Sequence, residues 1–482
     1  MSVIFRISAM LIITAASGCK VRQKFHESAL SQESRDPMPD GISRTENPCD
    51  RLDHWKYSLK SRRLPVIVHY AHPEDIEESK NVLAAIEEGW DFNTKTLQLL
   101  PIPLDHGKCG GTGDFDAFVW KGLIACEISA IPDVIVENFD APVDQSKYGT
   151  GPGQFHAKPP LKRNGRMGFM KIDPWGKYGG PDLRKTVVHE MAHASQAAYD
   201  WDESGAAFEM FAVFLDQIFN DSYEPNEFPD FQKHPNLPVD FFDDYETEFM
   251  YGASLYLLFL KDRYFDNSPL FVKDVWELST NPPGADDTHR EINEPDFVDV
   301  LDFLLHKQTK GKTSFIDSVV EFARWRWYTG DRVDDRHFRH FTKGIENLKD
   351  VRAAPAVFAT LSETGWIDVT SSLEPLKSLA PLMLGSVYID LEFPGSESVD
   401  ISIPALGGDT KAKLVVQALP GIDANSDGDF VTQVETMAKI KLINGKRTLA
   451  ITVVPLPSYG AYDPDSPRPQ ISFRAQVARI NK

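Results

Sequence analysis

The chemistry available to this chain concentrates in Leu183-Arg-Lys-Thr-Val-Val-His189-Glu190-Met-Ala-His193-Ala-Ser-Gln196. His189 and His193 are four positions apart, a spacing that stacks two side chains on one face of an α-helix. Two imidazoles so placed can share one Zn²⁺ at about 2.0–2.1 Å. Glu190 is turned about 100° around the helix and projects beside such a metal, where it can serve as base on a metal-bound water instead of as a ligand. With 13 histidines in 482 residues, an HExxH spacing arises by chance only roughly 0.02–0.03 times in such a chain. The competing reading is a helix with two satisfied core histidines and a surface glutamate, and the rarity favours the metal.

Catalytic zinc usually takes three protein ligands. Gln196 and Tyr199 stand where a metzincin carries Gly and His, so that class is excluded. Downstream, Ser204 is suited to cap a second helix with Phe208, Phe211, Leu215 and Phe219 on its apolar face. Glu209 falls inside that helix among apolar neighbours, where a carboxylate is costly unless it pairs or binds a cation. It is the favoured third ligand, and Glu203, in the connecting loop or first turn, is the alternative. Tyr251 opens an amphipathic stretch over 249–259 and is a candidate oxyanion donor. A buried aromatic at the helix entry is an equal reading. Asp216, two turns beyond Glu209, is spaced to orient a ligand histidine, with a surface carboxylate as the equal alternative.

The elements that must position these groups follow from periodicity. Strands are expected over 64–70, 115–120 and 168–173, with a helix opened by Pro73-Glu74-Asp75 and carrying Leu83, Ile86 and Trp90. This describes an α/β lobe over 63–178. The HExxH helix begins a helical lobe over 179–375, with further helices over 296–307 and 314–328. From 376 the pattern changes to runs at 386–392, 399–403, 413–418, 438–443, 448–454 and 472–478, which suggest a C-terminal β-sandwich. Within it, Asp423-Ala-Asn425-Ser-Asp427-Gly428-Asp429 places oxygens at alternate positions, as a Ca²⁺ loop does. Position twelve is Val434, however, with Glu435 one late, so an Asx-rich turn is favoured over a Ca²⁺ hairpin.

At these residues the chain resembles the gluzincin zinc metallopeptidases, the thermolysin-like superfamily, and more narrowly a group of secreted bacterial metallopeptidases. The resemblance extends over most of 60–480. It rests on His189-Glu190-Met-Ala-His193-Ala-Ser-Gln196, on Glu209-Met-Phe-Ala212, on Tyr251-Gly252-Ala253-Ser-Leu-Tyr256, on Phe322-Ala-Arg-Trp325-Arg-Trp-Tyr328 and on Gly111-Thr-Gly-Asp-Phe-Asp116. It implies a multidomain α+β fold, with an α/β lobe, a helical lobe and the HExxH helix at the cleft between them. It also implies His189, His193 and Glu209 as zinc ligands and Glu190 as general base.

Composition limits the partners. Fifty-one basic against 71 acidic residues give a net charge of −20, which argues against non-specific nucleic-acid binding and against a basic membrane patch. Nine acids against Lys233 alone crowd residues 221–248, read as a solvated loop in preference to a substrate-steering or Ca²⁺-binding one. Arg6 followed by an apolar run over 7–16 and Ala16-Ser17-Gly18-Cys19 reads as a signal peptide over 1–18, with Cys19 as a lipid-anchor site. Residues 19–62 then form a polar tether. Beyond Cys19, Cys49, Cys109 and Cys126 leave one disulfide and one thiol, in any of three pairings. Together these features describe an exported zinc-dependent metallopeptidase acting on peptides or proteins. The alternative is a non-catalytic cell-envelope binding protein on the same scaffold. Substrate specificity, endo- or exo-action and oligomeric state are not encoded in these signals.

Overall fold

The computed structural model describes residues 48–479 except for several stretches, the longest of which are 136–164, 282–294, 403–411 and 420–430. The expected signal peptide, Cys19, Cys126 and the 423–429 loop lie outside the described residues.

Short apolar runs with a period of two build the N-terminal sheet. Its strands are β1 (Tyr57–Lys60), β2 (Val66–Tyr70), β3 (Phe115–Val119), β4 (Glu127–Ile135) and β5 (Arg166–Ile172), in the order β1-β2-β3-β5-β4. β2, β3 and β5 run parallel, while β1 and β4 close the edges antiparallel. Residues two apart share a face. Phe115, Ala117 and Val119 therefore pack with Val66 and Val68 against α1 (Ile76–Asp91) and α2 (Leu183–Tyr199). Phe118 turns to the other face, into a cluster with Trp55, Trp120 and Phe169. A Cys49–Cys109 disulfide fastens the segment before β1 onto this second face, choosing one of the three open pairings. The described residues thus include structure ahead of the tether's expected end at residue 62. β4 escapes sequence reading because Pro132 interrupts it, and Pro belongs on an edge strand, where β4 lies.

The helices that follow are α3 (Gly205–Asn220), α4 (Phe228–Lys233), α5 (Phe249–Gly252), α6 (Ser254–Tyr264), α7 (Phe271–Leu278), α8 (Phe297–Thr309) and α9 (Phe315–Arg326). Ser204 caps α3 as expected, accepting from the Ala207 N–H at 3.2 Å. Unlike the amphipathic helix expected there, α3 is buried all round from Gly205 to Gln217. Trp276 packs on Phe208 and Phe211, Phe297 on Phe211, and Phe271 on Phe214. A helix apolar on every side is a core helix, so any carboxylate on it needs a partner. The stretch expected as one helix from 249 breaks at Ala253 into α5 and α6.

The C-terminal strands are β6 (Ala356–Thr360), β7 (Gly365–Val369), β8 (Ser386–Glu392), β9 (Ser398–Ser402), β10 (Ala412–Leu419), β11 (Val431–Val434), β12 (Met437–Lys441), β13 (Lys446–Pro455) and β14 (Phe473–Arg479). They form two sheets, β11-β10-β13-β8-β6 and β12-β9-β14-β7. Leu449, Ile451 and Val453 of one sheet and Ile401 and Val477 of the other share a hydrophobic core with α3 and α6. All six expected runs correspond to strands. Pairing of β6 and β7 carries the sheets back to Ala356, ahead of the expected boundary at 376. The chain is thus a mixed α and β protein of several sheets and a helical core, and none of its described helices is long and apolar enough to cross a membrane.

The acidic stretch 221–248 departs from a solvated loop. It contains α4, and Asp240 is buried. The Asp240 carboxylate receives Arg468 Nη1 at 3.2 Å, Arg468 Nη2 at 2.7 Å and the Tyr462 hydroxyl at 2.9 Å. This pins the segment between α4 and α5 to the C-terminal strand region. Removing one member of a buried ion pair strands the other, at a cost of about 3–5 kcal/mol. Asp240→Ala should lower the unfolding free energy in a denaturant titration by that amount. A loss below ~1 kcal/mol would show that the pair does not hold the segment.

Candidate metal centre

α2 is held on both sides before it presents any chemistry. The Asn93 amide donates to the Met191 carbonyl and to Ser195 Oγ, both at 2.9 Å, and Gly89 lets α1 approach because a Cβ there would stand 3.1 Å from the Met191 side chain. The loop to α3 is equally fixed. Asp200 accepts from the Asn281 N–H at 2.7 Å, and Glu203 accepts from the Ser204 and Phe297 N–H groups at 3.0 and 3.1 Å. The α2–α3 pair is therefore a rigid mount.

On that mount the His189 and His193 Nε2 atoms stand 3.0 Å apart, with the rings edge to face. α3 brings Glu209 Oε2 to 3.3 Å from His189 Nε2 and 3.4 Å from His193 Nε2. Donors about 2.0–2.2 Å from a tetrahedral ion lie about 3.3–3.6 Å from one another. The two edges to Glu209, 3.3 and 3.4 Å, match that spacing, and the 3.0 Å edge between the histidines is a few tenths of an ångström shorter. These three residues therefore fit a Zn²⁺ after a small outward shift of the rings. On each ring Nδ1 faces an oxygen: His189 Nδ1 lies 3.4 Å from Asp216 Oδ2, and His193 Nδ1 lies 2.8 Å from Gln196 Oε1. Nε2 of each ring is thus the atom turned into the triangle. Glu190 keeps an oxygen within 4.8 Å of a nitrogen of each histidine.

Burial and charge agree with a cation site. Glu190, His193 and Glu209 are wholly buried, with Asp216 at 1% and His189 at 6% exposure. Neither oxygen of Glu209 or of Asp216 has a hydrogen-bond partner among the described residues, and an orphaned buried carboxylate is costly. Burial alone lowers the His189 pKa, but the Asp216 and Glu209 carboxylates outweigh it, with help from Glu190, and raise it from 6.5 to about 10. Burial pushes the Glu209 carboxyl upward, yet His193 and His189 hold it below its ordinary value. Three carboxylates around two imidazoles demand positive charge, which a divalent ion satisfies.

Of the residues expected from sequence, the structure brings together His189, Glu190, His193 and Glu209. Glu203 faces away, its two oxygens occupied by the starts of α3 and α8. The Tyr251 ring lies beside His189, centroids 6.4 Å apart, and is nearly buried. Asp216 adopts the ring-facing place its spacing allowed. Gln196 was noted in the sequence only as a departure from the metzincin pattern. Its position three residues after His193, on the same helix face, was the available signal.

No family model and no curated protein matches the chain. Among solved structures, a periplasmic inhibitor of g-type lysozyme, PliG from Aeromonas hydrophila, aligns at 11% identity and a TM-score of 0.18, covering 26% of this chain and 94% of that one. A family GH115 4-O-methyl-alpha-glucuronidase aligns at 11% identity and a TM-score of 0.14, over 64% of this chain and 46% of that one. At such scores neither likeness bears on fold or function.

The two glutamates separate cleanly by experiment. Glu209→Ala should abolish one-to-one zinc binding in elemental analysis of purified protein. Glu203→Ala should retain zinc while losing about 1–2 kcal/mol of stability through the uncapped helix starts. The reverse pattern would reassign the third ligand.

Proposed function

We propose that this chain is an exported zinc-dependent metallopeptidase of gluzincin-like organisation, with the C-terminal sheets packed as a sandwich. One observation carries the reading: the His189–His193–Glu209 triangle has edges close to zinc size and a carboxylate, Glu190, beside it. The Cys49–Cys109 disulfide supports export, since such bonds persist in oxidising compartments. An anchor at Cys19 is consistent with that route, and peptides or proteins are the proposed substrates.

Held by His189, His193 and Glu209, zinc would supply a Lewis acid and lower the pKa of a water toward about 7. Glu190 takes the proton of the attacking water and returns it to the leaving amine. Tyr251, beside His189, donates to the oxyanion that develops on the peptide carbonyl. Asp216 keeps the His189 ring oriented and offsets the positive charge that collects at the site.

Glu190→Gln preserves shape and removes the base. Peptidase activity on a mixed peptide library should fall by about 10²–10⁴, with zinc content unchanged. The complete burial of Glu190, His193 and Glu209 favours a second reading, in which zinc only locks α2 to α3 in a non-catalytic envelope protein. That reading requires wild-type protein to bind zinc without turnover and to lose several kcal/mol on chelation.

A further inference from the structure

We propose that Gln196 is a positioning residue of this metal centre: one amide that sets the tautomer of His193 and ties it to the helix carrying Glu209. The proposal rests on the zinc-centre reading above and assigns a residue outside the ligand set. Gln196 is buried, at 1% exposure. Its Nε2 donates to the Phe208 carbonyl at 3.1 Å, and its Oε1 lies 2.8 Å from His193 Nδ1.

The orientation of the amide is forced by its partners. A backbone carbonyl can only accept, so the NH₂ end must face Phe208 and the oxygen must face the ring. An amide oxygen also only accepts, so His193 Nδ1 carries the hydrogen. The Nε2 lone pair of His193 is then left for a cation in the triangle. Were the amide reversed, its oxygen would face the Phe208 carbonyl, an acceptor against an acceptor.

The second contact adds a geometric role. Phe208 immediately precedes Glu209 on α3, so the bond from Gln196 fixes the first turn of α3 against the fourth turn of α2. Two of the three triangle residues, His193 and Glu209, are thereby registered to each other through a single side chain. The two histidines are supported unequally: His189 faces the Asp216 carboxylate, whereas His193 faces a neutral amide. A second carboxylate at 196 would add negative charge and could not donate to Phe208. Gln196 meets the acceptor and donor requirements together.

Partners of this kind typically change metal affinity by about 10–100-fold. The test uses the full chain and zinc itself, with affinity read by competition against a chromophoric chelator, and compares wild type with Gln196→Met and Gln196→Glu. Gln196→Met keeps the volume and loses both contacts, and should weaken zinc by about 10–100-fold. It should also lower the melting temperature of the zinc-free protein, because the Phe208 carbonyl and His193 Nδ1–H are left unpaired. Gln196→Glu keeps the acceptor facing His193 Nδ1, so it should bind zinc more tightly than Gln196→Met, while losing the tie to Phe208. If Gln196→Met does not fold, Gln196→Glu carries the test, and its zinc affinity should stay within about 10-fold of wild type; a larger loss would overturn the acceptor role. Wild-type zinc binding with unchanged affinity in Gln196→Met would overturn the positioning role alone. Wild-type protein that takes up no zinc would overturn the metal centre and this proposal with it.

Discussion

Two imidazole nitrogens held 3.0 Å apart, with a buried carboxylate oxygen 3.3–3.4 Å from each, are the constraint on which the rest of this structure turns. Both rings present Nε2 to the same point, a contact that needs either a proton or a metal cation shared between the two nitrogens. Glu209 and Asp216 add negative charge to a helix pair that is otherwise apolar. In such surroundings an uncompensated charge is expensive. The sequence retains these groups in a core where leucine or phenylalanine would pack more cheaply, and a divalent ion is the simplest compensation.

The fold is organised to keep that cluster in register. α2 leaves the parallel sheet after β5 and runs through the core with α1 on one side and α3 on the other. The short connection from Asp200 to Ser204 is fixed by Asn281 and Phe297 backbone groups, so α3 meets α2 at one setting. α3 in turn is clamped by Trp276, Phe271 and Phe297. Rigid helical mounts hold ligand geometry more closely than loops do, and here the three prospective ligands sit on just two adjoining helices. The C-terminal sheets share the same apolar core and are pinned through Asp240 and Arg468.

Much of this was legible in sequence because the relevant signals are local. The spacing of His189 and His193 dictates a shared helix face, and Ser204 announces the next helix start. Glu209 stood out as an acid inside an apolar run, which has few physical explanations. The C-terminal strands were visible through alternation. What stayed hidden depends on contacts distant in sequence. Asp240 looked like one acid among nine until Arg468, more than two hundred residues away, supplied its partner. The Cys49–Cys109 pairing depends on where the segment before β1 returns to the sheet, and β4 is masked by its own proline. Gln196 is ambiguous alone; its meaning comes from the Phe208 carbonyl on the neighbouring helix.

The central claim is that His189, His193 and Glu209 form a ready-made divalent-cation site. X-ray absorption at the zinc edge, on protein loaded with one equivalent of zinc, tests it most directly. The account predicts a first shell of two imidazole nitrogens and carboxylate oxygen, at about 2.0–2.2 Å. A shell of one imidazole or none, or one containing sulfur, would contradict it.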